Sequence, residues 1–535
     1  MKRPYCPVLA GGLVLVTGAA APAADFYVDA SATGAQTGAQ QSPFRTVQSA
    51  IDAAAGGDTI RVAAGTYVEN LRIQGEAIVL EGGYSSAFVR DPAANMTTLS
   101  GAGGNAVINI IEADATIDGF RITGGTGSTD LLPDGYHGGG IYSRDGSPTI
   151  SNNVIDGNDV RSGDPPFDFF FGGGIYVTNA AMATIVNNVV RGNVAGRGAG
   201  LAVFGQAALI QGNTIEDNVA VGDHGGGLFI GVVDARITQN IIRRNEVGRE
   251  LGYGFGSGLI VVNPGNSAEI SFNEVYENSL AVGAVFIDEG ARADIHHELI
   301  YDNQSTAGCE AVGAIYVDGG AGVGSEVTIS HVTVVGNVCE NAVGGNGLRV
   351  EGGSTVRVTN SIFWNNAGDD FAVFDTATLA LSYSDSQETI EGTGNISADP
   401  LFVDEAANDY HLAPGSPCID AGDPASAFDN EPAPNGGRAD MGRYGNATDT
   451  PPPDGPGGGG MDDPGMGGGG NRNNSNGGPS GPSNANNAGG GSGPRRAGGS
   501  GGFCGVGLFT PAVSLALPLL TVRRAPRRRH RGEKS

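Results

Sequence analysis

Ile150-Ser151-Asn152-Asn153-Val154-Ile155-Asp156-Gly157-Asn158 and Ile210-Gln211-Gly212-Asn213-Thr214-Ile215-Glu216-Asp217-Asn218 are two copies of one pattern, Ile-x-x-Asn-x-Ile-x-x-Asn. Outward from each copy, towards the N-terminus, stand small residues, an aliphatic, often an aromatic, a second aliphatic and a turn. The larger unit recurs eight times, its first aliphatic falling at Ile141, Ile175, Leu201, Leu228, Leu259, Val285, Ile315 and Leu348. Its spacing is uneven, as expected of like coils joined by unlike loops. The last asparagine is read in every unit, at Asn158, Asn193, Asn218, Asn245, Asn278, Asn303, Asn337 and Asn365. The one before it stands at Asn153, Asn188, Asn213, Asn240, Asn273 and Asn360, with Glu298 and Val332 breaking the series. Asparagine tolerates the left-handed backbone of a turn, and its amide can bond to the same amide one coil above or below. The pattern therefore predicts two asparagine ladders inside a stack of coils.

Within a coil the apolar residues alternate in and out, which gives strands about 3 to 5 residues long, stacked about 4.8 Å from their neighbours. One coil cannot bury its apolar face alone, whereas stacked coils share a continuous core of Ile, Val and Leu. Helical repeats are excluded, because the runs are too short and too rich in Gly and Asn. Composition agrees: 92 glycines and 16% charged residues in 535 suit an extended repeat better than a compact α/β enzyme. The net charge of -27 excludes nucleic acid as a partner, since a polyanion would be repelled.

The repeat resembles the right-handed parallel β-helix superfamily, the fold of the pectate-lyase-like enzymes and of many surface proteins, over roughly residues 26 to 400. Ser42-Pro43-Phe44-Arg45-Thr46-Val47-Gln48-Ser49-Ala50-Ile51-Asp52-Ala53 is similar to the short capping helix of that superfamily, and Gly57 to Val62 with Gly65-Thr66-Tyr67 to its first coil. Downstream, Ala398-Asp399-Pro400-Leu401-Phe402, Asp409-Tyr410-His411-Leu412, Pro414 to Gly422 and Ala439-Asp440-Met441-Gly442-Arg443-Tyr444 resemble the choice-of-anchor Q domain. That block is expected to cap the last coil.

The ends suggest export. Lys2 and Arg3, an apolar run from Val8 to Ala21 and Ala21-Pro22-Ala23 have the layout of a signal peptide. Thr450 to Gly502, dominated by Pro, Gly, Asn and Ser, cannot form a core. Beyond it, Cys504-Gly505, the apolar stretch Val506 to Val522 and an arginine cluster resemble a bacterial C-terminal sorting signal. The expected organisation is signal peptide 1–24, all-β right-handed parallel β-helix 25–395, C-terminal block 396–446, linker 447–502, and a hydrophobic, Arg-rich sorting tail 503–535. The tail would hold the protein at a membrane with the β-helix outward, either retained or processed at Cys504. Cys309 and Cys339 lie in similar places of successive repeats and are expected to form a disulfide, with Cys418 a buried free thiol.

Two residues before the last asparagine, an outward row reads Asp156, Arg191, Glu216, Arg243, Tyr276, Tyr301, Val335 and Phe363. Opposite charges on stacked strands attract and aromatics stack, so the row has a purely structural reading. Its functional reading is a shallow glycan groove, with Tyr276 and Tyr301 as platforms. A second row, Tyr142, Tyr176, Ala202, Phe229, Ile260, Phe286, Tyr316 and Arg349, is expected to lie under loops or to stack on itself. Asp134 with His137 and Asp223 with His224 stand beside glycine runs, where such pairs suit acid–base work, metal binding or no function at all.

Enzymes of the resembling fold cleave acidic polysaccharide by Ca²⁺-assisted β-elimination or hydrolyse it between aspartates. No motif here matches either arrangement, and lysines are nearly absent from the body. Arg191 and Arg243 with Asp156, Glu216 and Asp217 form the one cluster suited to such chemistry. The sequence thus favours a non-catalytic surface protein that binds a polysaccharide or other surface glycan. The alternatives are a lyase or hydrolase using that cluster, with Ca²⁺ as its cofactor, and a structural envelope component.

Overall fold

The computed structural model describes residues 22–128, 136–161, 170–248, 254–279, 282–305, 314–320, 323–339, 345–432 and 435–447. Three short strands per coil alternate with corners, as in Ile141–Arg144, Thr149–Ser151 and Val154–Asp156. Every pairing between coils is parallel, and like positions face one another: Ile141 opposite Ile175, Ile150 opposite Ile185, Ile155 opposite Val190. The third strands build a twelve-stranded sheet, which we call the third face. The first and second strands form one larger sheet, because Leu201–Gln211 and Leu228–Thr238 each run unbroken through the bend between them. A single apolar core runs along the axis from Val28 to Phe363.

The stack begins where the resemblance implied. Asp25–Val28 pairs with Thr59–Ala63, and the helix Val47–Ala53 buries Val47, Ala50 and Ile51 at that end. Thr46 caps the helix by accepting from the Ser49 amide.

Both asparagine ladders form, with three corrections to their reading. The left-handed residue is the one before each ladder asparagine: Asn152, Asn187, Gly212 and Gln239 at one corner, Gly157, Gly192, Asp217 and Arg244 at the other. The buried asparagine then turns inward, where each amide bonds to the next and to a carbonyl oxygen of the previous coil. Glu298 does not break the first ladder, since its Oε1 accepts from Asn273; Val332 does. In the last full coil the register shifts by one. Val358 faces Ile329, so Ser361 and Asn366 hold the ladder positions and Asn360 and Asn365 take the left-handed corners. Two adjacent asparagines at 365 and 366 made the motif ambiguous by one residue, and core alignment resolves it.

The C-terminal block does not sit over the end of the stack. It lies along the outer side of the last coils, where Phe402, Tyr410, Cys418 and Met441 pack on Leu299, Tyr301, Val335 and Ile362. Those outward side chains are largely apolar, so covering them removes apolar surface from water. Cys418 is a buried free thiol whose Sγ lies 3.2 Å from Asp385. Cys309, Cys504 and Asp134 lie outside the described residues. Cys339 is buried in a strand whose register sets it opposite Ser305.

Candidate functional site

The third face brings the predicted outward row together. Asp156, Arg191, Glu216, Arg243, Tyr276, Tyr301 and Val335 face one another coil by coil, and the row continues to Trp364. Phe363, read into this row from sequence, points into the core, a consequence of the same one-residue shift.

Most of the charges are engaged. Arg121 spans both oxygens of Asp156 with Nε at 3.1 and 3.2 Å. Glu216 accepts from Arg243 at 2.8 Å and from Arg244 at 2.7 Å, and Arg244 also grips Asp217 at 2.8 and 3.0 Å. Burial works against the Arg243 cation, but hydrogen bonds to Glu216 and Tyr276 outweigh it and hold its pKa above the ordinary value. Arg243 is therefore fixed as a cation and cannot take a proton from a substrate.

Arg191 differs. Its guanidinium is about half exposed (51%), makes no hydrogen bond among the described residues, and comes no closer to Asp156 than 3.7 Å. It stands over a shallow depression of about 290 Å³ lined by Arg121, Thr123, Asp156, Arg191 and Asp217, with Gly157 and Gly192 as its floor. No side chain rises from those two corner positions, so a flat ligand can lie against backbone there.

Tyr276 and Tyr301 stack with rings 4.6 Å apart and 12° from parallel. Tyr301, however, is only 5% exposed and lies under Tyr410 of the C-terminal block, so it offers no open face to a ligand. Tyr276 is half-buried and bonds through its hydroxyl to Arg243 at 2.8 Å. The platform expected from sequence thus reduces to one tyrosine at the edge of a charged row. Sequence reasoning missed Arg121 and Arg244. Arg121 lies on a strand whose Ile122 aligns with Ile155, but its coil carries Phe120 and Gly125 where the motif has asparagine, which hid it.

The second outward row forms a buried layer in which Tyr142, Tyr176, Phe229, Phe286 and Tyr316 pack with the partly buried Phe171, Phe204, Phe255 and Val282. His137 belongs to this layer and is no loop tip: it is 1% exposed and stacks 4.9 Å from Tyr176, and burial lowers its pKa to about 4. Asp223 lies 2.7 Å from His224 Nδ1 and is held by Arg197 at 2.7 and 3.0 Å. Burial disfavours its charge, yet these two partners keep the carboxyl well below the usual range. Among the described residues no three Asp, Glu, His or Cys side chains converge as a metal cage, and no helix is long and apolar enough to cross a membrane.

A family model described as "Right handed beta helix region" matches residues 60–255 and 173–392, together more than half of the chain. No curated protein matches it. Among solved structures, the crystal structure of pectate lyase Pel9A is similar with a TM-score of 0.38 and 13% identity, over 79% of this chain and 96% of that one. The complex of XylC with xylose is similar with a TM-score of 0.36 and 12% identity, over 71% and 87% respectively. The parallel coils, their register and the extent of the family match lead to one statement of identity: the chain belongs to the right-handed β-helix family.

Proposed function

We propose that this is an exported cell-surface β-helix protein that binds polysaccharide along its third face without cleaving it. The observation that carries the reading is Arg191, an exposed guanidinium without a hydrogen bond among the described residues above a side-chain-free floor, in a row that carries one polar head per coil from Asp156 to Tyr276. The rise between coils is close to the length of a sugar unit, so a glycan chain laid along the axis meets a new donor or acceptor at each unit. Arg121, Asp156 and Asp217 supply partners for hydroxyls and acidic groups, and Tyr276 offers an aromatic edge. The pairing supports binding rather than cleavage, since Arg243 is bound on two sides and Glu216 is shared between two arginines. Residues 1–24 serve export in this reading, and 503–535 hold the protein at a membrane with or without processing at Cys504.

The test incubates the full chain with acidic and neutral polysaccharides, with and without Ca²⁺. Binding is measured together with new reducing ends and unsaturated-uronate absorbance. Binding to an acidic glycan, weakened about tenfold or more in Arg191→Ala and without product, is the expected result. Product that Arg191→Ala or Arg243→Ala abolishes would replace this reading with a lyase or hydrolase. No binding to any glycan would leave a structural envelope role.

A further inference from the structure

Three of the seven histidines, His296, His297 and His331, meet at one corner of the later coils, under the C-terminal block. His297 and His331 take the left-handed corner in successive coils, at φ 55° and 51°, so their rings lie parallel, 5.0 Å apart. Phe272 of the preceding coil stacks on His297 at 4.6 Å. The block closes over this stack. Its Gly445 carbonyl oxygen lies 3.0 Å from His297 Nε2, and Gly442 N–H donates to the carbonyl of Asn360 at 2.8 Å. Arg443 reaches in to donate to the carbonyl oxygens of Asn273 at 2.6 Å and His297 at 3.2 Å.

The partners fix where protons sit. Gly445 offers only an acceptor, so His297 Nε2 carries hydrogen and, in the neutral ring, Nδ1 accepts; His296 Nδ1, 2.9 Å away, must then donate. His331 Nε2 faces the side-chain amide nitrogen of Asn360 at 3.1 Å. Asn360 cannot turn its amide round, because its Oδ1 accepts from Asp423 N–H at 2.6 Å and its Nδ2 donates to Ser426 at 2.8 Å. His331 Nε2 is therefore an acceptor. One further proton on His331 sets a donor against the Asn360 amide, the group that holds Ser426 and Asp423 of the block; the proton that His297 gains falls on Nδ1, towards His296, and opposes the junction through the burial of its charge.

We propose that residues 398–447 form an acid-released clasp, which protonation of His297 and His331 unseats from the later coils. Burial first, and then the neighbouring imidazoles, lower His297 to about 3; burial, aided by His296, lowers His331 to about 4. Once the clasp is off, both return towards about 6.5. The sign follows: the released form binds more protons, so release grows as pH falls from about 6.5 to about 4, by up to about tenfold per unit for each ring.

The charges facing the rings do not reverse this. Arg443 adds a positive charge at the same spot. Glu274 lies 3.5 Å from Arg443, Glu269 lies 3.6 Å from His296, and Glu298 is buried beside His297; all three belong to the helix and stay with it. On the clasp, Asp423 bonds to Ala425 N–H, Asp440 to Asp420 N–H and Glu431 to Asp440 and Asn446 N–H, all within the block, so these bonds move with it. Asp385 of the helix, which accepts from Ala398 N–H of the clasp and which burial raises to about 6, works the other way below pH 6, by up to about tenfold per unit, against two rings. Release uncovers Leu299, Tyr301, Val335 and Ile362.

Trp364, the one tryptophan of the chain, is half-buried in this contact and reports on it. The experiment follows Trp364 emission and the hydrogen-exchange protection factors of the full chain from about pH 7.5 to about pH 4.5. Residues 398–447 should lose protection by tenfold or more and the emission should shift to the red, while strands between 201 and 243, beyond the coils that His137 touches, keep their protection. His297→Asn with His331→Asn should abolish the response, since asparagine already fills this corner at Asn152, Asn187 and Asn360. His331→Asn alone should make it shallower, and His224→Asn, on an earlier coil, should leave it intact. Equal protection of 398–447 across the range, a response that persists in the double variant, or loss of protection along the whole helix at the same pH would each overturn the proposal.

Discussion

Glu298 Oε1 accepts both the backbone N–H and the side-chain amide of Asn273, each at 2.8 Å, so a carboxyl group stands where the earlier coils place asparagine. Its Oε2 has no hydrogen-bond partner among the described residues, and the residue is fully buried. Burial lifts its pKa from 4.5 to about 7, against the pull of its bonds to Asn273 and of nearby Arg443.

Replacing that carboxyl tests the cost of its ionisation. A raised acid lends stability below its unfolded value, and loses it as pH climbs from about 4.5 to about 7. Glu298→Gln keeps an acceptor for Asn273 and removes the charge. It should leave stability unchanged near pH 4 and raise it by about 3 kcal/mol at pH 8, measured by urea denaturation at both values. Equal effects at the two pH values would show that ionisation of Glu298 is not costly.

Asn218 lies mid-ladder with four side-chain hydrogen bonds: it accepts from the Asn193 N–H and amide and donates to Val190 O and Asn245 Oδ1. Asn218→Ala strands those buried groups at about 1 to 3 kcal/mol each, less what local collapse recovers. Destabilisation of about 3 to 5 kcal/mol is expected in urea denaturation. A loss below 1 kcal/mol would show that water takes the amide's place.

His137 is buried beside Tyr176 and Phe171 with both ring nitrogens unpartnered among the described residues, and the register sets it opposite Phe171. Its lowered pKa means that stability falls as pH drops from about 6.5 to about 4, by about 3 kcal/mol in all. His137→Phe should remove this share of the acid sensitivity and stabilise the fold at pH 5, read from melting temperatures at pH 5 and pH 7. An unchanged pH dependence would place the sensitivity elsewhere.

Arg243 is well connected but partly exposed, and Glu216 keeps Arg244 when Arg243 is lost. Arg243→Ala should therefore cost no more than about 1 kcal/mol in denaturation, as for other solvent-screened pairs. A larger loss would mean that the row is chiefly a structural brace, weakening the case for a glycan surface.

Much of the architecture could be read in one dimension. A core aliphatic must recur where strands stack, and a buried amide must meet its like, so Ile150 with Ile185 and Asn153 with Asn188 declare their pairing through identity alone. The outward row from Asp156 to Tyr301 followed by counting from those fixed points. The reading failed where chemistry was duplicated, as at Asn365 and Asn366, and where a residue of another type did the same work, as Glu298 does.

Sequence by itself determined the stack, its parallel register and, up to the last full coil, the face each repeat residue takes, because those depend on local alternation and on like meeting like across about 4.8 Å. Only the tertiary structure decided which outward residues remain open. Tyr301 and Tyr276 are equivalent in the repeat, yet Tyr410, more than a hundred residues downstream, covers one and leaves the other at the edge. The same folding back set Gly445 and Arg443 against His297. Contacts of that kind join segments with no shared periodicity, so apolar burial between two particular surfaces, rather than any repeat, selects them.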